Sequence, residues 1–297
     1  MSTRLLEEDF LARLRRLELV SRKVVSGVQK GERRSKRRGH STEFADHRPY
    51  VSGDDIRFLD WNIYGRLDRL FLKLFVEEED LRVNILIDRS PSMRFGDPEK
   101  LLYAKRIAAA LAFIGLQNQD RVRVGAFADR LQSVFGPARG RNQVQRLFAA
   151  LERLESDEEA GTDLTRGARD FALQGRLTGI TVFISDFFDR KGFEGALRYL
   201  LSGGIQGEVF LFHLLAPQEI DPPLTGDLKL VDAEDGMEAD VSVSAPLLKI
   251  YRRNLDAFRT GIKDFAARRG MHYVFASTAV PFDRLILDYL RRRGLLR

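Results

Sequence analysis

Three stretches, "RVNILID" (82–88), "ITVFISD" (180–186) and "GEVFLFHLL" (207–215), are short and apolar almost throughout. A strand with one wet face alternates apolar and polar residues, so runs of this kind specify strands covered on both faces, as in a parallel sheet flanked by its crossover helices. The segments between them agree. From residue 82 the pattern predicts strand 82–88, helix 98–116, strand 121–127, a short strand near 131–135 and helix 141–154. Helix 164–174, strand 179–185, helix 193–202 and strand 207–215 follow. This alternation predicts an α/β fold, a doubly wound and mainly parallel sheet of Rossmann-like character. Residues 226–245, "GDLKLVDAEDGMEADVSVSA", interrupt it with an expected antiparallel hairpin turning at Glu234-Asp235-Gly236. Helix 247–269, strand 271–276 and helix 281–293, with Pro281 suited to a first helical turn, close the domain.

Upstream of residue 81 the grammar differs. Residues 4–26 read as an amphipathic helix with Leu6, Phe10, Leu14 and Leu17 on one stripe and Glu7, Glu8 and Asp9 near its N-terminal end. A basic segment and a turn-rich stretch lead into a candidate strand at about 69–77. The expected organisation is therefore residues 1–80 as helix, basic segment and "signature" region packing on a main domain of 81–297, with the hairpin inserted at about 226–245.

A chain of 297 residues with 44% apolar composition can bury a proper core. It has no apolar run long enough to span a bilayer, and its first twenty residues are charged at helical spacing rather than leader-like, so a soluble, cytoplasmic protein is expected. The absence of cysteine excludes disulfides and thiolate metal sites, leaving oxygen and imidazole as possible ligands. The net charge of +6 is concentrated in residues 1–50, where 13 Lys and Arg face 7 Asp and Glu. Its centre, "QKGERRSKRRGH" (29–40), is a block able to meet phosphate backbones or anionic lipid, or simply a solvated loop or a patch for an acidic partner. No aromatic residues interleave it, as a base-stacking surface would require.

Ligands of an open parallel sheet collect at the carboxyl ends of its strands. Asp88 ends one strand and Asp186 another; Ser90 and Ser92 follow Asp88 at alternate positions, and "AGTDL" places Thr162 just before a helix. Two carboxylates and three hydroxyls are hard oxygen donors suited to Mg²⁺ or Mn²⁺, with the remaining positions filled by water or a ligand. Each part also has a plain structural role. Ser90-Pro91-Ser92 can make a turn, and Thr162 or Asp163 can cap the following helix.

These five residues resemble the metal-ion-dependent adhesion site of von Willebrand factor type A domains. The resemblance implies that Ser90, Ser92 and Thr162 coordinate a metal through oxygen, with Asp88 and Asp186 bound directly or through water. The fold-level resemblance covers about residues 81–297. Upstream, "EFADHRPYVSGDDIRFLDW" resembles the signature of the bacterial family known as domain of unknown function 58, with Glu43, Phe44, Arg48, Tyr50, Gly53, Asp54, Arg57, Asp60 and Trp61 in place. Before Glu43 the chain reads "GHST", where that family has a tighter Gly-rich approach. "LKIYRRNLDAFRTGIKDFAARRGMHYVFAST" resembles its C-terminal part. Read from its residues, the signature predicts a turn at "VSGDD", a core anchor in Trp61, and a lock between Arg57 and Asp54, Asp55 or Asp60.

No G-x-S-x-G, G-x-x-x-x-G-K, G-x-G-x-x-G or H-E-x-x-H occurs, and Ser90 stands where an aspartyl phosphatase needs a second acid. His40, His47, His213 and His272 show no ligand spacing, and His213 reads as a satisfied core histidine. A metal held largely by neutral hydroxyls keeps charge for a partner's carboxylate, which makes a non-enzymatic protein-binding module the expected function. The family resemblance implies a MoxR-type AAA+ ATPase as partner, in a chaperone-like or assembly role. A nucleic-acid-binding protein using 29–40, or a metal-dependent phosphohydrolase, are the alternatives.

Overall fold

The computed structural model describes residues 5–17, 19, 43–76, 81–157, 161–174, 177, 179–202, 207–232 and 236–289. The basic segment 29–40 lies outside them, as do Glu234 and Asp235 of the expected hairpin turn. In chain order the elements are α1 (Glu8–Leu14), β1 (Glu43–Pro49), α2 (Trp61–Leu67), β2 (Phe71–Val76), β3 (Arg82–Asp88), α3 (Lys100–Gln117), β4 (Arg121–Phe127), β5 (Leu131–Ala138), α4 (Val144–Glu152) and α5 (Leu164–Leu173). They continue with β6 (Gly179–Ser185), α6 (Glu194–Ser202), β7 (Gly207–Leu215), α7 (Pro217–Ile220), β8 (Gly226–Val231), β9 (Glu238–Val243), α8 (Ala245–Ala267), β10 (His272–Ser277) and α9 (Phe282–Arg284). Two compact units result, residues 1–23 with 81–297, and residues 24–80. The N-terminal helix α1 falls in the larger unit.

In the larger unit six strands form one sheet in the order β10-β7-β6-β3-β4-β5, parallel except for the β4–β5 pair. Counted by first appearance this is 6-5-4-1-2-3, the doubly wound order whose chain reverses direction between β3 and β6. The apolar runs do what their composition demands. In β3, Val83, Ile85 and Ile87 enter the core under α1, α3 and α4, while Leu86 enters the opposite core with α5, α6 and α8. The neighbouring strands split the same way, with Ile180, Val182 and Ile184 on one face and Phe183 on the other in β6, and Phe210, Phe212 and Leu214 against Val209 and Leu211 in β7. Gly179 opens β6 at φ +81°, where a Cβ would stand 2.4 Å from the Arg82 carbonyl oxygen, so a side chain there would break the start of the β3–β6 pairing.

The amphipathic stripe at the N-terminus is buried as expected, but the helix is short. After Leu14 the chain turns, and Leu17 and Leu19 are buried beyond that turn, with Asn118 Nδ2 donating to the Leu17 carbonyl at 3.0 Å. The expected helix 281–293 begins at Phe282 and widens at residues 285–289 into a π-type turn that buries Leu285 and Ile286. The hairpin is antiparallel, Gly226 opposite Val243, and nearly all of it faces solvent. Among the described residues, no helix is long and apolar enough to cross a membrane.

In the smaller unit β1 and β2 pair antiparallel, and α2 follows a short 3₁₀ turn at Ile56–Phe58. Neither β1 nor α2 was expected. Trp61, expected to anchor a core, is 64% exposed and leads α2 with its ring edge-on to Tyr64. The expected turn forms at Gly53 (φ +103°), and Arg57 pairs with Asp55, one of the three acids expected for it, at an exposed position; a further lock is made by Arg48, bidentate to Asp54 at 2.7 Å for each bond. Asp60 caps α2 through the amides of Asn62 (2.9 Å) and Ile63 (3.2 Å) and accepts from His47 Nε2 at 2.9 Å. The His47 bond, with the two amides and Lys73, holds its carboxyl down at about 2.

Ile85→Ala should destabilise by about 2–5 kcal/mol in urea unfolding, because it empties a site packed on a helix and two strands. Leu230→Ala, on the exposed hairpin, should change stability by less than about 0.5 kcal/mol. Asp60, depressed in the fold from an ordinary 3.8, stabilises the smaller unit above that value and ceases to do so as pH falls towards 2. Emission of Trp61, the chain's single tryptophan, should therefore change between pH 4 and 2 and flatten in Asp60→Asn. Superimposable profiles would remove Asp60 as the acid-sensitive group.

Candidate metal centre at the carboxyl edge of the sheet

Asp88 is the last residue of β3, and Asp186 directly follows β6, so both stand where the sheet reverses its winding. Both carboxylates are fully buried. Pro91 starts a 3₁₀ turn over Pro91–Arg94 that carries Ser90 and Ser92 back over the end of β3. The Ser90 amide donates to Asp88 Oδ1 at 2.9 Å, the Ser90 and Ser92 hydroxyl oxygens lie 3.1 Å apart, and the Ser92 hydroxyl donates to Asp186 Oδ2 at 2.8 Å. Four of the five residues singled out in the sequence therefore form one continuous polar chain. The turn and the polar cluster are one feature.

Thr162 stands half-buried in the loop before α5. That loop is anchored to the same edge by the Asp163 amide, which donates to the Ala128 carbonyl at 3.1 Å, just past the end of β4. Asp163 caps α5 through the Arg166 amide at 2.8 Å and pairs with Lys191 at 2.7 Å. Asp189 accepts from the Leu164 amide at 2.9 Å, tying the loop after β6 to the start of α5.

The sequence reading missed three residues of this edge. Ser185 donates to Asp88 Oδ2 at 2.7 Å and accepts from the Phe187 amide at 2.7 Å, in a bend where Phe187 takes φ +61°. Lys100, at the start of α3, is fully buried with Nζ 2.7 Å from Asp186 Oδ2 and 2.5 Å from Glu219 Oε1. Glu219, on α7 just after β7, accepts from the Ala216 amide at 2.7 Å. Asp186 Oδ1 accepts from the Phe188 amide at 3.0 Å.

The electrostatics follow from burial. Desolvation, then the charge of Asp186, pushes the Asp88 carboxyl up, while hydrogen bonds from Ser185 and Ser90 pull it partly back. Burial pulls the Lys100 ammonium down, but Asp186 and then Glu219 more than reverse this, leaving it above the ordinary lysine value and charged. Two carboxylates, Asp186 and Glu219, face the one ammonium, and Asp88 adds a third acid that feels the charge of Asp186, which leaves a surplus of acid here. Among the described residues no three His, Asp or Glu side chains gather into a metal cage. The donors here are instead two carboxylates with hydroxyls, all hard oxygens, and together with the surplus of acid they fit a hard divalent cation.

A family model described as "Protein of unknown function DUF58" matches residues 46–260, well over half of the chain. The chain belongs to the DUF58 family. An uncharacterised protein of Mycobacterium tuberculosis (strain ATCC 25618 / H37Rv) is 28% identical over 259 residues, covering 84% of this chain and 79% of its own length. Similar solved structures include an aerotolerance-related membrane protein from Bacteroides fragilis NCTC 9343 (19% identity, TM-score 0.45, 71% of this chain and 99% of that one). The conserved hypothetical protein BatB from Bacteroides thetaiotaomicron is another (16% identity, TM-score 0.44, 71% of this chain and 98% of that one).

Of the described histidines only His213 lies near this edge, close enough to feel the charges of Asp186 and Lys100. His213, expected as a satisfied core residue, is buried among Phe187, Phe258 and Phe275. Its Nδ1 meets the Tyr273 hydroxyl at 2.8 Å, whereas Nε2 has no hydrogen-bond partner among the described residues. Burial pushes its pKa down to about 3, so the ring is neutral at physiological pH. His47 serves Asp60, and His272 stacks on Phe210.

Ser185→Ala should cost about 1–3 kcal/mol in denaturant unfolding, because it strips a partner from buried Asp88 and from the Phe187 amide at once. A change near zero would mean that water or a neighbour takes over both bonds.

Proposed function

We propose that this chain is a non-enzymatic protein-binding module whose carboxyl-edge site holds Mg²⁺ or Mn²⁺ and captures an acidic side chain of a protein partner. The observation that carries the reading is the hydrogen-bonded run Asp88, Ser90, Ser92, Asp186 at the switch point of the sheet. Ser90 and Ser92 supply neutral oxygens, and Thr162 supplies a third from the loop before α5. Asp88 and Asp186 supply the charge, each already held by hydrogen bonds that fix its direction. A divalent ion held mainly by hydroxyls retains positive charge for a carboxylate brought by a partner.

Among the described spare carboxylates of these loops, Asp163 caps α5 and pairs with Lys191, Asp189 holds the Leu164 amide and Asp157 pairs with Arg89, and these commitments favour binding over a hydrolytic reaction that needs a free general base. We further propose, on the family resemblance, a MoxR-type AAA+ ATPase as the partner, with this chain as adaptor in a chaperone-like or assembly role within the cytoplasm.

Titration with Mg²⁺ or Mn²⁺ should show binding to the wild type and a loss of at least about tenfold in affinity for Asp88→Ala, with folding of both checked by circular dichroism. Equal affinity would remove the metal site. A MoxR-type ATPase should be retained by immobilised wild type and released by chelator or by Asp88→Ala. Retention indifferent to both would remove the metal-bridged docking.

A further inference from the structure

Lys100 is the charged group of this edge that the metal reading leaves unexplained. A buried ammonium is tolerated only when it is paired and hydrogen-bonded, and this one is held between Asp186 and Glu219. Neither acid is free to turn away. Asp186 is fixed by Ser92 and the Phe188 amide. Glu219 is fixed by the Ala216 amide, and its own carbonyl accepts the Tyr251 hydroxyl of α8 at 2.5 Å. The cation stands on the same oxygen, Asp186 Oδ2, that receives the Ser92 hydroxyl.

We propose that Lys100 is the built-in counter-cation of the candidate metal site, a positioning residue that aims Asp186 at Ser92 and by its charge holds divalent-ion affinity down, with Glu219 as the acid that offsets it. The proposal rests on the metal reading above. It follows that the carboxylate pair stays supported when no metal is bound, and that the site's affinity is a balance between two side chains outside the five-residue motif. With Asp88 and Asp186 ionised, removing Lys100 leaves the site more negative, while neutralising Glu219 leaves it more positive. The two changes must therefore move cation affinity in opposite directions. A purely structural role for the pair would weaken binding in both or alter neither.

The test is Mn²⁺ titration of the full chain, with free Mn²⁺ read by electron paramagnetic resonance and the metal-free melting temperature recorded for each variant. Lys100→Met should bind Mn²⁺ about tenfold more tightly while melting lower without metal, and Glu219→Gln should bind about three- to tenfold more weakly. Lys100→Arg, which keeps the charge, should stay within about threefold of wild type. If Lys100→Met does not fold, Glu219→Gln is set against Glu219→Asp, which keeps the charge but shortens the reach to Lys100: weakening in the Gln variant with near-wild-type binding in the Asp variant supports the charge role, and equal weakening in both overturns it. Binding by wild type with the same affinity in Glu219→Gln, or shifts of the same sign in both variants, would overturn the role of Lys100 alone. No Mn²⁺ binding by wild type or by any variant would overturn the metal reading and this proposal with it.

Discussion

Everything in the larger unit depends on covering β3 on both faces and both edges. Its residues Val83 to Asp88 are buried without exception, which requires a parallel neighbour on each side and a helical layer above and below. Once β4 and β6 take those edges, the connection from β4 to β6 must reverse the winding, and the β3–β6 register stops at Ile87, so that Asp88, the next residue, is paired with Phe127 of β4 but not with β6. The polar residues are placed there by the same constraint that makes the rest of the strand apolar. Fold and candidate site are in this sense one solution to one burial problem.

The same constraint explains what could be read from the chain beforehand. The bounds of β3, β4, β6 and β7 match those expected from sequence, because a short run covered on both faces has few other interpretations. Four of the five proposed ligands come together through backbone neighbours that the spacing already implied. Lys100 was hidden because a lysine two residues after a proline reads as solvent-facing, and its one clue is that the helix it opens is apolar nearly all round. Glu219 was hidden because Ala216 lacks the side chain that usually announces a cap, although its amide is the group being satisfied. Ser185 was hidden as the last letter of an apolar strand.

The smaller unit was legible in composition and not in structure. "EFADHRP" has neither the alternation of a strand nor its usual residues, and it pairs with β2 through backbone geometry that side-chain patterns do not report. "WNIYGRL" contains a glycine and leaves its largest side chain outside, so no apolar periodicity marks it as a helix. In both cases polar caps and paired charges, chiefly Asp60 with His47 and Arg48 with Asp54, perform the local ordering that burial performs elsewhere.

The hairpin of β8 and β9 has a practical consequence. It springs from the same edge as the candidate site, and Arg190, in the loop that carries Asp186, reaches Asp232 at its far end. Val231 and Met237 are more than half exposed, and the chain contains no cysteine of its own. A single thiol introduced at Met237 would be unique in the molecule, giving a fluorophore one address on a ribbon that the core does not need.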